Sequence, residues 1–137
     1  MTQPKEQTTA KSLPSKSLPS WVSVRPDGLG LVGSKDLQTG KCIFPRIPKS
    51  SPSAPRYDAI ELSRRGEVYS FTVIHPNPKT GEKPFTLAYV DFPEGARAFG
   101  RLQLPAGETA TVGMVVKVCV QGTAEGGALY HFNPAKE

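Results

Sequence analysis

The sequence predicts an all-β protein built on one small barrel, on three observations. Proline and glycine number 14 and 13 among 137 residues, which favours short strands and tight turns over long helices. After Arg56 the apolar residues recur with a period of two, as in half-buried strands. Turn-forming runs separate those segments at short intervals, and a chain of this length has room for one modest core.

Residues 1–20 hold "KSLPSKSLPS", a five-residue unit used twice. It is rich in Ser, Lys and Pro and too poor in apolar surface to offset its ordering entropy, so it reads as a flexible tail. Leu13, Leu18 and Trp21 are the residues in and beside it that would order against a partner. Residues 21–55 are dense in Gly, Pro and Ser, with only short apolar pairs such as Leu31-Val32 and Ile43-Phe44. Such a segment forms turns and brief hairpins but hardly a core, and it must lean on something else. Its end, "PRIPKSSPSAP", carries prolines at 45, 48, 52 and 55, which excludes helix and favours an extended, semi-rigid strap.

Residues 56–137 read as the barrel. "YDAIELS" leads through "RRG" into the long strand "EVYSFTVIH", with Tyr69, Phe71 and Val73 on one face and Val68, Ser70, Thr72 and Ile74 on the other. "PNPKTGEKP" joins it to "FTLAYVDF", and "PEG" turns that strand into "ARAFGRLQL", completing an antiparallel meander. "PAGETATVGM" connects to "VVKVCVQ", and the "GTAEGG" loop to a short last strand, "ALYHF". This pattern matches a small closed Greek-key barrel of the OB type. An SH3-like barrel and an open sandwich fit the same pattern. Gly100 is expected to supply a bulge or bend that lets its strand wrap.

The charge balance, 17 basic against 12 acidic residues and a net +5, admits nucleic acid, phosphate-bearing cofactors or an anionic protein face as partners. Two distant cysteines, Cys42 and Cys119, do not suggest a secreted disulfide scaffold. A polar start and no apolar stretch near the ~20 residues of a membrane span lead to the expectation of a soluble, cytoplasmic protein. His75 and His131 sit at strand ends without a neighbouring Cys, Ser or Asp, so no catalytic constellation is expected. A barrel of this type also raises single-stranded nucleic-acid binding, with Tyr69, Phe71, Tyr89 and Phe92 as stacking platforms. Against it, the strand aromatics read equally well as core, and the basic residues are interspersed with Glu61, Glu67, Asp91 and Glu94.

"GSKDLQTGKCIFPR", residues 33–46, has the frame of a knuckle in which paired cysteines grip zinc, yet only Cys42 is present. With this frame and the proline strap, "IELSRRGEVYSFTVIH", "LAYVDFPEGARAFGRLQ" and "VGMVVKVCV" resemble the acyl-CoA-associated family that joins a rubredoxin-like zinc ribbon to an OB-fold, over roughly residues 29 to 121. The resemblance places the zinc-ligand positions on Asp36, Thr39 and about Ser51 and Ala54. Those residues are not the Cys and His donors that structural zinc needs, so the arm over 21–55 is expected to be a degenerate, metal-free ribbon. It would be held by packing of Ile43, Phe44 and the strap against a neighbour.

The resemblance further implies a non-catalytic subunit of a thiolase-like enzyme that makes or breaks carbon–carbon bonds in acyl-CoA substrates, with a heterotetramer as the family's habit. Trp21, Ile43, Phe44, Pro45 and Arg46 are expected to grip that partner. Arg46, Lys41 and Lys35 are candidates to meet CoA phosphates or acidic residues of the large subunit, with Lys49 and Arg56 nearby. Arg46 comes first because a guanidinium makes paired contacts to phosphate or carboxylate.

Overall fold

A computed structural model of the chain describes residues 18–135. The expected tail, with Leu13, therefore lies outside the described residues up to residue 17. Among the described residues the regular structure is strand and short 3-10 turn, with no α-helix. No helix there is long and apolar enough to cross a membrane.

Four strands form a first sheet: β1 (Val22–Arg25), β2 (Gly28–Asp36), β3 (Cys42–Ile43) and β4 (Tyr57–Glu61). β1 and β2 form a hairpin with Val22 opposite Leu31 and Arg25 opposite Gly28. β4 runs antiparallel to β2 from Val32↔Glu61 to Asp36↔Tyr57. β3 pairs with β2 through Ser34↔Ile43 and Lys35↔Cys42. Because Ser34 and Lys35 have a partner in each, β3 and β4 must lie on opposite edges of β2.

Two expectations are corrected here. The segment over 21–55 is not a set of brief turns, because it contains a nine-residue strand. Residues 57–61, expected in the barrel, pair with that strand instead. The sequence hides β2 because glycines at 28, 30 and 33 break its apolar alternation. Two of them mark close approaches: at Gly30 a Cβ would displace the Arg25 guanidinium, and at Gly33 the Ile43 carbonyl leaves no room for one. The proline strap is also more compact than expected. It coils through successive turns, Ser51 N to Pro48 O, Ala54 N to Ser51 O and Arg56 N to Ser53 O, ending in a 3-10 turn over Ala54–Arg56.

The barrel is built from β5 (Arg65–Ile74), β6 (Phe85–Asp91), β7 (Arg97–Leu102), β8 (Val115–Gly122) and β9 (Ala128–Pro134). β5, β6 and β7 form the predicted antiparallel meander. The barrel closes in the order β5-β6-β7-β9-β8, and β7 meets β9 in parallel through Leu102↔Phe132. This is the OB arrangement that the strand pattern predicts. The bulge falls at Tyr69, between Val68 and Ser70, and not at Gly100, whose register with Ala88 is uninterrupted. Gly100 instead makes room: a Cβ there would lie 3.0 Å from the Tyr130 ring and 3.1 Å from that of Phe132.

Sheet and barrel share one core. Leu31, Cys42 and Leu62 cluster with Val68, Val90, Phe92, Val116 and Phe132, and a fully buried side chain of this size stabilises by about 1.5–3 kcal/mol. Trp21 and Phe44 pack against the same cluster. Their rings meet each other and Tyr130 edge to face at centroid distances of 6.1, 5.7 and 5.7 Å, the geometry that aromatic quadrupoles favour. The Tyr130 hydroxyl donates to the Phe99 carbonyl, while burial pushes its phenol above the ordinary range. The neighbour on which Phe44 was expected to lean is therefore the chain's own barrel.

Two arginines fasten the β1–β2 hairpin to the barrel entrance. Arg25 donates to the carbonyls of Leu62 (2.9 Å) and Leu31 (2.7 Å). Arg64 donates to Leu29 O and to both carboxylate oxygens of Asp27 (3.0 and 2.8 Å).

Tyr130→Ala should lower stability by about 3 kcal/mol, as other large aromatic truncations do. It should also red-shift the emission of Trp21, the chain's only tryptophan. Fluorescence and thermal unfolding check this, and unchanged emission would mean that the aromatic joint does not depend on Tyr130.

Candidate functional site

The knuckle between β2 and β3 is organised by one carboxylate. Asp36 is buried to 7% exposure and accepts from the backbone amides of Gln38 (2.8 Å) and Thr39 (3.4 Å). Arg56 grips it with two parallel bonds, Nε to Oδ1 at 3.0 Å and Nη2 to Oδ2 at 2.7 Å. The Leu37 amide adds a bond to the Arg56 carbonyl at 2.9 Å. The Arg56 guanidinium first, and then the two amides, hold the Asp36 carboxyl well below the usual carboxylate range. Asp36 in turn raises Arg56.

This pair ties the first stretch where the resemblance places zinc ligands, Asp36 to Thr39, to Arg56, just past the second, about Ser51 to Ala54. The residues present do not fit a zinc ion. Asp36 is committed to Arg56, and among the described residues no three His, Cys, Asp or Glu side chains gather as a metal shell requires. Ser51 instead bonds Ser53 at 3.0 Å.

The expected contact residues separate into two groups. Trp21 and Phe44 are half-buried and turned onto the barrel. Ile43 is 39% exposed, Pro45 is exposed after a cis Phe44-Pro45 bond, and Arg46 is half-buried. The Ile47 amide donates to the buried Ser34 hydroxyl at 2.7 Å, which fixes the chain beside Arg46 next to Lys35 on β2. Lys35 and Lys41 are exposed. Arg46, Lys41 and Lys35 make no ion pair with a described residue.

The bulge at Tyr69 reverses the expected alternation along β5, so that Tyr69, Phe71 and Val73 do not share a face: Ser70 is opposite Tyr89, while Phe71 and Val73 are opposite the buried Ala88 and Thr86 and share their side. The outer face of β5, β6 and β7 presents Tyr69, Tyr89 and Phe99, each between 44% and 54% exposed, among Glu67, Asp91, Arg97 and Arg101. Tyr89 and Phe99 are cross-strand partners with centroids 4.6 Å apart. The Arg97 guanidinium lies 3.6 Å over the Tyr69 ring and bonds both oxygens of Asp91 at 2.5 and 3.1 Å. Arg101 lies 4.0 Å over Phe85. Of the four aromatics considered as stacking platforms, Tyr69 and Tyr89 are on the outer face, and Phe71 is exposed on the opposite side of the sheet. Phe92 is 4% exposed in the core, and Phe99 stands on the surface in its place.

The β8–β9 register also brings together residues far apart in sequence. His131 lies opposite Cys119, and Asn133 Nδ2 donates to Cys119 Sγ at 3.0 Å with His131 Nε2 3.4 Å away. The amide, not the imidazole, touches the sulfur, so no nucleophile–base pair is made. Only the length of the intervening loop, which sets the hairpin register, signals this cluster in the sequence. His75 is exposed where β5 enters its loop.

Residues 59–121 match the family model described as the C-terminal OB-fold domain of ChsH2. The chain is similar to a DUF35 domain-containing scaffold protein of Methanocaldococcus jannaschii, 31% identical over 101 residues, covering 71% of this chain and 72% of the relative. It is also similar to the benzoylsuccinyl-CoA thiolase subunit BbsA of Thauera aromatica, 31% identical over 74 residues. That match spans 53% of this chain and about half, 51%, of the relative's length. Among solved structures it resembles a chain of the Ltp2-ChsH2(DUF35) aldolase, with a TM-score of 0.58 and 26% identity, covering 77% of this chain and 84% of that one.

A group whose native pKa is depressed stabilises above its unfolded value, near 4 for a carboxylate, and that contribution is lost as pH falls through the native pKa. Hydrogen-exchange protection of the Gln38 and Thr39 amides should therefore hold down to about pH 4 and decline below it. Asp36→Asn should lower it at every pH while barrel amides stay protected. A chelator should leave the melting temperature of the unaltered chain unchanged, and a fall would place a metal in the knuckle.

Proposed function

The chain belongs to the DUF35 family of OB-fold proteins, and from that premise we propose that it is a non-catalytic accessory subunit of a thiolase-like enzyme acting on carbon–carbon bonds of acyl-CoA substrates. The observation that carries the reading is the knuckle. It presents three cations, Arg46, Lys41 and Lys35, that no described side chain neutralises, on a loop that Asp36 and Arg56 hold in shape. Cations left unpaired on a fixed loop suit an anion supplied from outside, either a carboxylate of the large subunit or a CoA phosphate at the joint between subunits.

The relatives add support in their own names. One is a scaffold protein, another a subunit of a thiolase, and the solved neighbour is part of an aldolase. In this reading catalysis belongs to the large subunit. The small chain binds and stabilises it, with Ile43, Pro45 and Arg46 at the contact. Trp21 and Phe44 act by holding that loop on the barrel, and the heteromeric arrangement follows the family's.

Arg46→Ala should weaken assembly with the thiolase-like subunit, or CoA-linked turnover of the complex, by about tenfold without lowering the barrel's melting temperature. Lys35→Ala with Lys41→Ala should reduce the association rate and its dependence on salt. Interferometry with the copurified, mass-identified large subunit measures both. Unchanged assembly and turnover in all variants would remove the knuckle from the interface.

A further inference from the structure

We propose that the outer face of the β8–β9 hairpin holds one cuprous ion between Cys119 and His131. The inference stands apart from the accessory-subunit reading and uses none of the residues that carry it.

The strand register makes the pair. Cys119 and His131 are directly opposite each other, and opposed side chains on one face of an antiparallel ladder have Cβ atoms about 4.5–5.5 Å apart, close enough for one ion to bridge a sulfur and an imidazole. Both are half-buried, and they alternate with Val118 and Phe132, which turn inward to the core. Asn133 shows where their donor atoms point. Its Nδ2 lies 3.0 Å from Cys119 Sγ and 3.4 Å from His131 Nε2, so both converge on one amide nitrogen. That nitrogen only donates, and a protonated Nε2 would set hydrogen against hydrogen. The imidazole therefore carries its proton on Nδ1 and turns the Nε2 lone pair toward the same point as the sulfur.

The number and type of donors select the ion. A thiolate and a neutral imidazole suit transition metals, whereas magnesium and calcium take oxygen ligands. Zinc takes three or four protein ligands, and among the described residues no third His, Cys, Asp or Glu joins these two. Cuprous ion is thiophilic, and its filled shell accepts two ligands in a nearly linear arrangement.

Charge agrees. Lys117 is opposite Asn133, and Arg65 is opposite Lys117. Arg64, clasped by Asp27, is near enough to feel the sulfur's charge. On the other side of the pair stand Gln121 and Leu129, which carry none. Such surroundings favour thiolate over thiol and oppose a dication, but a monocation on a thiolate and a neutral imidazole forms a neutral unit. Binding releases the thiol proton and changes no oxidation state. The Asn133 amide remains as an outer-shell donor that holds the sulfur in place. β8 and β9 pair from Val116↔Pro134 to Gly122↔Ala128 without the ion, so the chain folds in its absence.

The test titrates the full-length, reduced chain under argon against the coloured bicinchoninate complex of cuprous ion, whose loss of colour counts the copper taken. One equivalent should pass to the unaltered chain and to Cys42→Ala, and none to Cys119→Ser. His131→Ala should bind about a hundredfold more weakly and Asn133→Ala about tenfold more weakly, with barrel amides protected from exchange in every variant. In the unaltered chain, copper should shift the nitrogen resonance of His131 Nε2 and leave those of His75 in place. Retention of the equivalent by Cys119→Ser, undiminished binding by His131→Ala, an unmoved Nε2 resonance, or displacement of the copper by an equal amount of zinc ion would each overturn the proposal.

Discussion

The ion pair between Asp36 and Arg56 is the constraint from which the amino-terminal half takes its form. It joins the turn after β2 to the turn before β4 over a separation of 20 residues, the kind of closure that a bound metal provides in small ribbons. A carboxylate that also accepts two backbone amides does what a tetrahedral ion would do for the loop, with directionality supplied by the guanidinium fork. Because Arg56 is partly open to solvent, the pair alone contributes little stability. Its importance is geometric: it holds β2 and β4 in register, and that register points Leu31 and Leu62 into the barrel's core.

From there the structure follows by contiguity. The β2 strand carries its apolar residues against the barrel, Trp21 and Phe44 close on Tyr130, and Gly100 leaves the space that Tyr130 needs. The knuckle is thereby held at a set position beside Asp91 and Arg97, and a loop that would otherwise be a mobile string of turns becomes a surface of defined shape. Its cations are thereby presented on a loop whose shape is set from within the chain.

The barrel was legible because its strands alternate and its turns carry proline and glycine; order, meander and closure all follow from that. The amino-terminal sheet was not. β2 reads as "GLGLVGSKD", and glycines that let backbone and side chains approach closely also erase the periodicity by which a strand is recognised. The resemblance gave the knuckle its location, and Asp36 was noticed only as a lost ligand. Its partner Arg56 was grouped with the cations because no local spacing links positions so far apart. On the meander, a strict period of two separates Tyr69 from Val68 but groups Phe71 and Val73 with the wrong face, because the bulge at Tyr69 shifts the alternation by one residue and returns them to the side of Val68. A bulge of this kind has no signature in the sequence. Phe92 reads equally well as platform or core in the sequence, and its place past the end of β6 puts it in the core.

The closing of the barrel bears on how the protein is handled. The stretch that matches the family model stops at residue 121, within β8, whereas the parallel bridge through Phe132 is made by a strand beyond it. A fragment trimmed to that boundary would carry two bare strand edges and an empty centre where a phenylalanine belongs, and bare edges recruit other chains. Recombinant pieces of this protein should therefore extend through Pro134, because a domain boundary defined by shared sequence is not the point at which the polypeptide becomes self-sufficient.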